Sequence, residues 1–386
     1  MAIPLGYNIR NLKLRKGATV MTASGIALTV AIAVLIMALV TGLEQAFVAS
    51  GDPRNVLVLR QGADSEMMSF VNHEQANTLK TLAGVVRNSR SESIVSGETC
   101  VVIALPRRDR SAEVNVTVRG TTVIGIEMRP KIKLVEGRWF TPGRREVAVS
   151  TSVNQRFANA NVGDLMQFGK GTWTVVGMFD AGGTAHQSEI WGDTNQMGAD
   201  FDRPGYSAVL LRAQDDAAAD ALVRRVTDDQ RLKLQGMIET AYWEQQTRSG
   251  MTIKFVGMIV AVIMAIGSCF AAMNTMYASV AYRTKEIAML RTLGFSRLSI
   301  LGSFLIESAL LAILGGIAGI IFMLPFNGLT TGTNNMFSFS EIVFAMRITL
   351  PVVVRAMAFA VIMGVLGGLA PAWHAARQRL VVALRD

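Results

Sequence analysis

Residues 255–282 read FVGMIVAVIMAIGSCFAAMNTMYASVAY without a single charge, and residues 283–298 that follow read RTKEIAMLRTLGFSRL. About 20 predominantly apolar residues suffice for a helix to cross roughly 30 Å of hydrocarbon. The first stretch is therefore a membrane span, and the second is the basic segment that leaves it. Three further runs have the same character. One at 17–43, between Lys16 and Glu44, contains IALTVAIAVLIMALV; the apolar runs after Glu307 and Arg355 place the others at 299–325 and 350–371. The run at 17–43 far exceeds the roughly 7–15 residues of a signal-peptide core, so it is expected to stay as the first span.

Composition agrees with this reading. Of 386 residues, 51% are hydrophobic and 17% charged, below the roughly 25% charged of a soluble domain. Disordered chains, disulfide scaffolds and ordinary nucleic-acid-binding domains are excluded. The net charge of +9 has a definite location. Residues 1–16 contribute +4 through Arg10, Lys13, Arg15 and Lys16. Residues 282–297 contribute +3, and the tail from Pro371 contributes +2, so these segments hold the whole excess. Positive charge stays on the cytoplasmic side. The expected order is thus a cytoplasmic amphipathic segment (1–16), span one (17–43) and an extracytoplasmic domain (44–250). A stalk end with span two (251–282), a cytoplasmic loop (283–298) and span three (299–325) follow. An extracytoplasmic loop (326–349), span four (350–371) and a cytoplasmic tail (372–386) complete it.

Within 44–250, β-rich runs at 56–59, 93–105, 113–128, 146–150, 172–179 and 207–212 alternate with turn residues, and helical patterns occupy 73–83 and 213–234. The fold class expected is a helical membrane protein with four spans and a large α+β domain between the first two. Met237 to Lys254 is expected to form a helical stalk running into span two. Trp191 and Trp243 read as core or interfacial anchors. No nucleophile elbow or phosphate-binding loop is present; the glycines of VGDLMQFGKGTW read as turn residues. His73, His186 and His374 lack metal-ligand spacing, so no metal site is expected, and Cys100 and Cys269 are too few and too differently placed for a disulfide framework.

Four ordered stretches resemble the permease subunits of MacB/FtsX/LolC-type ABC systems. They are NIRNLKLRKGATVMTASGIALTVA at the start, EGRWFTPGRREVAVSTSVNQRFANANVGDLMQFGKGTWTVVGMFDAGG in the outer domain, SVAYRTKEIAMLRTLGFSRLSILGSFLIES after span two, and GGLAPAWHAARQRLVVALR at the end. The resemblance implies a dimeric four-span bacterial inner-membrane permease, its MacB-like domain periplasmic, working by mechanotransmission with a cytoplasmic ABC ATPase. ATP and Mg would be bound by that partner, and no cofactor by this chain. MacB-like exporters carry the ATPase ahead of span one, whereas this sequence opens sixteen residues before it, so the ATPase is expected on another polypeptide. The partner permease would be a second copy or a sister chain, with a periplasmic adaptor or carrier as a further partner. Export or extraction of a hydrophobic compound, peptide or lipoprotein is the use implied; FtsX-like activation of a cell-wall hydrolase is the alternative, disfavoured by the size of the outer domain. A membrane-anchored receptor with no ATPase is the reading that ignores the resemblance.

The residues singled out follow from this. In the loop, Ile287, Leu290 and Leu293–Gly294 would line one stripe of a short helix, with Lys285 and Arg291 off it. Composition alone reads the loop as a basic segment on anionic lipid. The resemblance makes Arg283, Lys285, Glu286, Ile287, Leu290, Arg291, Leu293 and Gly294 the ATPase-coupling set. Glu307 either lies about 15 Å inside span three and pairs with a basic residue, or marks the interfacial start of the span. Asn274 reads as an interhelical hydrogen-bonder. Gly315 with Gly319 and Gly364 with Gly368 form G-x-x-x-G pairs for close helix packing, within one subunit rather than across a dimer seam.

Overall fold

An amphipathic helix, α1 (Leu5–Leu14), precedes the long α2 (Lys16–Val48). These begin a computed structural model that describes residues 4–14, 16–109, 112–247, 251–334 and 340–377. The chain divides into two units. One is helical (Met1–Thr41, Thr252–Leu329, Met346–Asp386) and the other α+β (Gly42–Met251, Thr330–Ala345).

The α+β unit runs through β1 (Asn55–Arg60), α3 (His73–Lys80), β2 (Val95–Pro106), β3 (Glu113–Thr121), α4 (Val123–Glu127), β4 (Lys133–Gly137), β5 (Glu146–Ser150) and α5 (Thr151–Arg156). It continues with β6 (Leu165–Phe168), β7 (Gly171–Asp180), β8 (Glu189–Asp193), α6 (Thr194–Asp200), β9 (Ala208–Arg212), α7 (Asp216–Asp228), β10 (Leu234–Ile238) and α8 (Glu239–Gln246). The strands form one mixed sheet in the order β10-β1-β9-β2-β3-β8-β5-β7-β4, with β6 added to β7. One half packs Val56, Val58, Val209 and Leu211 against Leu79 of α3 and Leu222 and Val226 of α7. The other packs Val116, Val118, Val147, Val149, Trp173 and Ile190. β5 and β8 are buried along their whole length, as expected of strands covered on both faces.

A buried ionic cluster sits where the halves meet. Arg119 on β3, only 1% exposed, uses all its N–H donors. Nη1 donates to Glu66 (2.7 Å) and Glu98 (2.8 Å), Nη2 to Glu66 (2.9 Å) and Glu189 (3.0 Å), and Nε to Glu189 (2.9 Å). Arg129 grips Glu98 with two further bonds of 2.6 and 2.9 Å. Burial pushes the Glu98 carboxyl up, but Arg129 and Arg119 outweigh it and hold it at about 2. Glu189 is also held well below the ordinary carboxylate range: burial raises it, and Arg119 and His186 override the burial. Both carboxylates titrate below their unfolded-state value, so the stability they give is present above the ordinary value of 4.5 and is lost as pH falls toward 2. The melting temperature of the α+β unit should hold steady above about pH 5 and fall through this window by an amount worth a few kcal/mol. Tryptophan fluorescence melts across pH check this; an unchanged melting temperature at pH 3 would refute it.

Three expectations change here. The run 113–128 is a strand only to Thr121; Thr122 then caps α4 by accepting from Gly125 N. The helical stalk does not begin at Met237. Met237 and Ile238 pair with Leu57 and Val56 as β10, and α8 buries Glu239, Tyr242 and Trp243 within its own unit. The rest of that stalk includes residues 248–250, which lie outside the described residues. The loop after span three is also more than a loop: it carries a hairpin that belongs to the α+β unit.

The helical unit resumes with α9 (Met251–Tyr282), α10 (Thr284–Thr292) and α11 (Arg297–Met323). The hairpin β11 (Thr330–Asn334) and β12 (Glu341–Ala345) precedes α12 (Leu350–Arg377). Stretches of α2, α9, α11 and α12 are long and apolar enough to cross a membrane. α12 continues through Pro371 to Arg377, so the expected tail begins as helix, and its remainder lies outside the described residues. Ile26, Val30 and Val34 of α2 pack with Ala312 and Ile320 of α11 and Ala356, Ala360 and Met363 of α12. Small residues permit the approach. A Cβ at Gly315 would lie 2.8 Å from Ala23 O, and one at Gly319 would fall on Ala27 O, so this pair seats α11 on α2. Gly364 and Gly368 meet Ala312 and Ser308, seating α12 on α11.

Candidate functional site

The segment 283–297 becomes α10 and a tight turn into α11. Gly294, at φ +93°, ends the helix: its N–H bonds Arg291 O (3.2 Å) while Phe295 N–H bonds Leu290 O (3.1 Å). This paired closure needs a left-handed residue, which glycine adopts without a Cβ penalty. Ser296 then caps α11 by accepting from Ser299 N at 3.2 Å.

The structure divides the stripe drawn from the sequence. Ile287 is turned inward with Ala288 and packs among Met276, Val280, Ile300, Phe304 and Ala375, so it anchors α10 and is not displayed. Leu290 is half-buried. The exposed apolar face is instead Met289 (55% exposed) and Leu293 (72%); Tyr282 at the end of α9 and Leu298 at the start of α11 are exposed too. Lys285 and Glu286 are exposed beside it, and Arg291 is half-buried.

Arg283 also points inward. Its Nη1 donates to Glu307 Oε2 at 2.9 Å and its Nε to Glu286 Oε2 at 3.2 Å. The guanidinium lies 5.1 Å from the ring centroids of both Tyr7 and Phe304. Tyr7 OH closes the group by donating to Glu286 Oε2 at 2.9 Å. Glu307 is buried in α11 and paired with a basic residue from the α9–α10 corner. A buried carboxylate is costly unless neutralised, and the cation between two aromatic faces is itself well held. The group ties α1, the α9–α10 corner and α11 together. Tyr7 was not singled out in the sequence; its setting, ahead of RNLKLRK in an amphipathic segment, gives no sign of its partner.

Asn274 finds no helix to bond among the described residues. It stands exposed on α9, the least covered of the candidate spans: 11% of its apolar window is buried, against 39–50% for the others. Ser268, one and a half turns earlier, does bond Thr29 of α2.

Residues 19–229 match the family model of the MacB-like periplasmic core domain, and residues 258–380 match that of the FtsX-like permease C-terminal. The chain belongs to the MacB/FtsX-type ABC permeases. The second match contains α10 and the Arg283–Glu307 pair. Among relatives of this permease, the macrolide export ATP-binding/permease protein MacB of Hahella chejuensis is 25% identical over 86% of this chain and 55% of its own length. The pyoverdine export ATP-binding/permease protein PvdT of Pseudomonas syringae pv. syringae is 35% identical over 36% of this chain and 20% of its own. The ABC transporter permease YknZ of Bacillus subtilis is 26% identical, with 95% of this chain and 94% of its own covered. The permease therefore spans about half the length of the MacB relatives it matches. A solved structure of the extracellular domain of YknZ from Gram-positive bacteria is similar at 18% identity and a TM-score of 0.36, covering 47% of this chain and 99% of that one. The α+β unit of this MacB/FtsX-type permease is its extracytoplasmic domain.

Proposed function

We propose that this permease works with a separate cytoplasmic ABC ATPase, which binds ATP and Mg and docks on the exposed face of α10. The stroke passes through Arg283 and Glu307 to the span helices and on to the periplasmic domain. That movement drives export or extraction of a hydrophobic substrate, peptide or lipoprotein. The observation that carries this is the exposed apolar pair Met289 and Leu293 at the end of α10, a helix whose Ile287 side is packed into the bundle and whose start is tied by Arg283 to Glu307. A basic loop held only by lipid has no need of such a lock. The full-length likeness to YknZ, whose name is permease alone, supports a separate ATPase.

The positive charge of residues 1–16, 282–297 and 371–386 supports cytoplasmic termini in a bacterial inner membrane. The open side of α9, with an amide that lipid cannot satisfy, supports a second permease chain, a copy or a sister, beside it. Leu293→Asp and Met289→Asp each place a charge on the docking face without touching the buried side. Both variants should insert normally and lose ATPase co-purification by about tenfold or more, a deficit of at least roughly 1.4 kcal/mol in the contact. Normal co-purification with both would remove α10 as the docking element.

A further inference from the structure

The chain passes between its two units four times, after Thr41, Met251, Leu329 and Ala345. The first two crossings are those of a domain inserted between two spans. The others bring the hairpin β11–β12 into the extracytoplasmic domain, and it is built in rather than laid on. Ile342, Val343 and Phe344 are buried. Glu341 is buried and paired with Arg107 (3.3 Å) and Arg156. Thr117 Oγ1 donates to Ser340 Oγ (2.8 Å), and Val343 N to Ser188 Oγ (2.6 Å). A Cβ at Gly332 would fall on Glu341 Oε1, so the hairpin closes tightly around that carboxylate. A two-stranded hairpin has little stability alone, so these contacts hold it in place.

At the helical unit the same ribbon is stiff. Gly328 N bonds Met346 O (2.9 Å), and Met346 N bonds Leu329 O (3.0 Å). Ile348 N bonds Asn327 Oδ1 (2.9 Å), and Arg347 N bonds Ala38 O of α2 (3.2 Å).

We infer that the β11–β12 hairpin is a second mechanical linkage, through which α11 and α12 move the extracytoplasmic domain, with Glu341 as the positioning residue that fastens it. All four membrane helices then grip the domain. A displacement of α11, the helix that Arg283 ties to α10, reaches it directly instead of passing around through α2 and α9. This rests on the proposed ATP-driven movement.

The test uses the full permease–ATPase complex in lipid nanodiscs. Spin labels at Asp202→Cys in the extracytoplasmic domain and Leu366→Cys on α12 report the distance between units with and without ATP. One variant inserts a short Gly-Ser spacer after Leu329 and another after Ala345, slackening the ribbon while keeping its contacts. A second variant, Glu341→Ala, keeps the chain length and unfastens the hairpin. In both, the ATP-dependent distance change should shrink to about half or less, since two of four crossings no longer transmit, while ATP hydrolysis stays within about twofold. A full distance change in both variants would overturn the linkage. No ATP-dependent change in the parent complex would overturn the proposed movement itself, and the linkage with it.

Discussion

Arg119→Met is expected to unfold the extracytoplasmic domain or bring it close to unfolding. The substitution removes the cation shared by Glu66, Glu98 and Glu189 and leaves three buried carboxylates facing one another. Breaking a buried pair from one side costs about 3–5 kcal/mol, and domains of this kind are stable by only about 5–15 kcal/mol. Arg129 relieves Glu98 alone, because its guanidinium reaches Glu98 and Glu239. Arg119→Lys restores the charge but not the five-donor fork, so it should recover part of the loss and not all. Fluorescence from Trp173 and Trp191, both fully buried, follows the transition. The melting temperature should rank native, Lys, then Met; equal values for native and Met would contradict the role given to the cluster.

Removing the charge at one end of the Arg283–Glu307 pair should separate ATP hydrolysis from movement. Arg283→Gln leaves Glu307 charged and buried in α11, at a cost of about 3–5 kcal/mol to the helical unit. Glu307→Gln leaves the guanidinium with Glu286 and the two aromatic faces, a milder loss. The double variant removes both buried charges of the pair, so its stability should lie above that of Arg283→Gln, and the cycle should return a favourable coupling energy on the order of 1–3 kcal/mol. Stability and transmission part company here. The double variant should insert and melt nearly normally yet lose about tenfold or more of the ATP-dependent displacement of the extracytoplasmic domain, because the charged link from α10 to α11 is gone. Independent, additive effects of the two substitutions would show that the pair does not act as a unit.

The four long apolar helices were legible because charge-free length is a local property of the sequence. The end of α10 was not: Gly294, placed on the apolar stripe from the sequence, instead closes the helix in a left-handed conformation ahead of the Ser296 cap. Long-range choices were not legible. Ile287 and Leu293 are both apolar and both fit a helical stripe; only the packing of Met276, Ile300 and Phe304 decides that the first turns in and the second turns out. Arg119 looks like an ordinary outward residue of a Val- and Thr-rich strand until Glu66, Glu98 and Glu189 arrive from three other segments. The hairpin at 330–345 carries turn-forming Gly, Thr and Asn residues and reads as loop, because its stability comes from Arg107, Arg156 and Ser188, more than a hundred residues away. The strand at Met237 was mistaken for stalk because β10 is an edge strand of five residues whose pattern gives little alternation to read.

The central claim, that this chain is the membrane half of a two-part ATP-driven machine, is tested most directly by purifying the full chain from its native membrane in a mild detergent. An ABC ATPase should co-purify in stoichiometric amount and hydrolyse ATP, and it should be lost when Leu293 is changed to Asp. Intact, folded permease recovered repeatedly with no nucleotide-hydrolysing partner would contradict the claim.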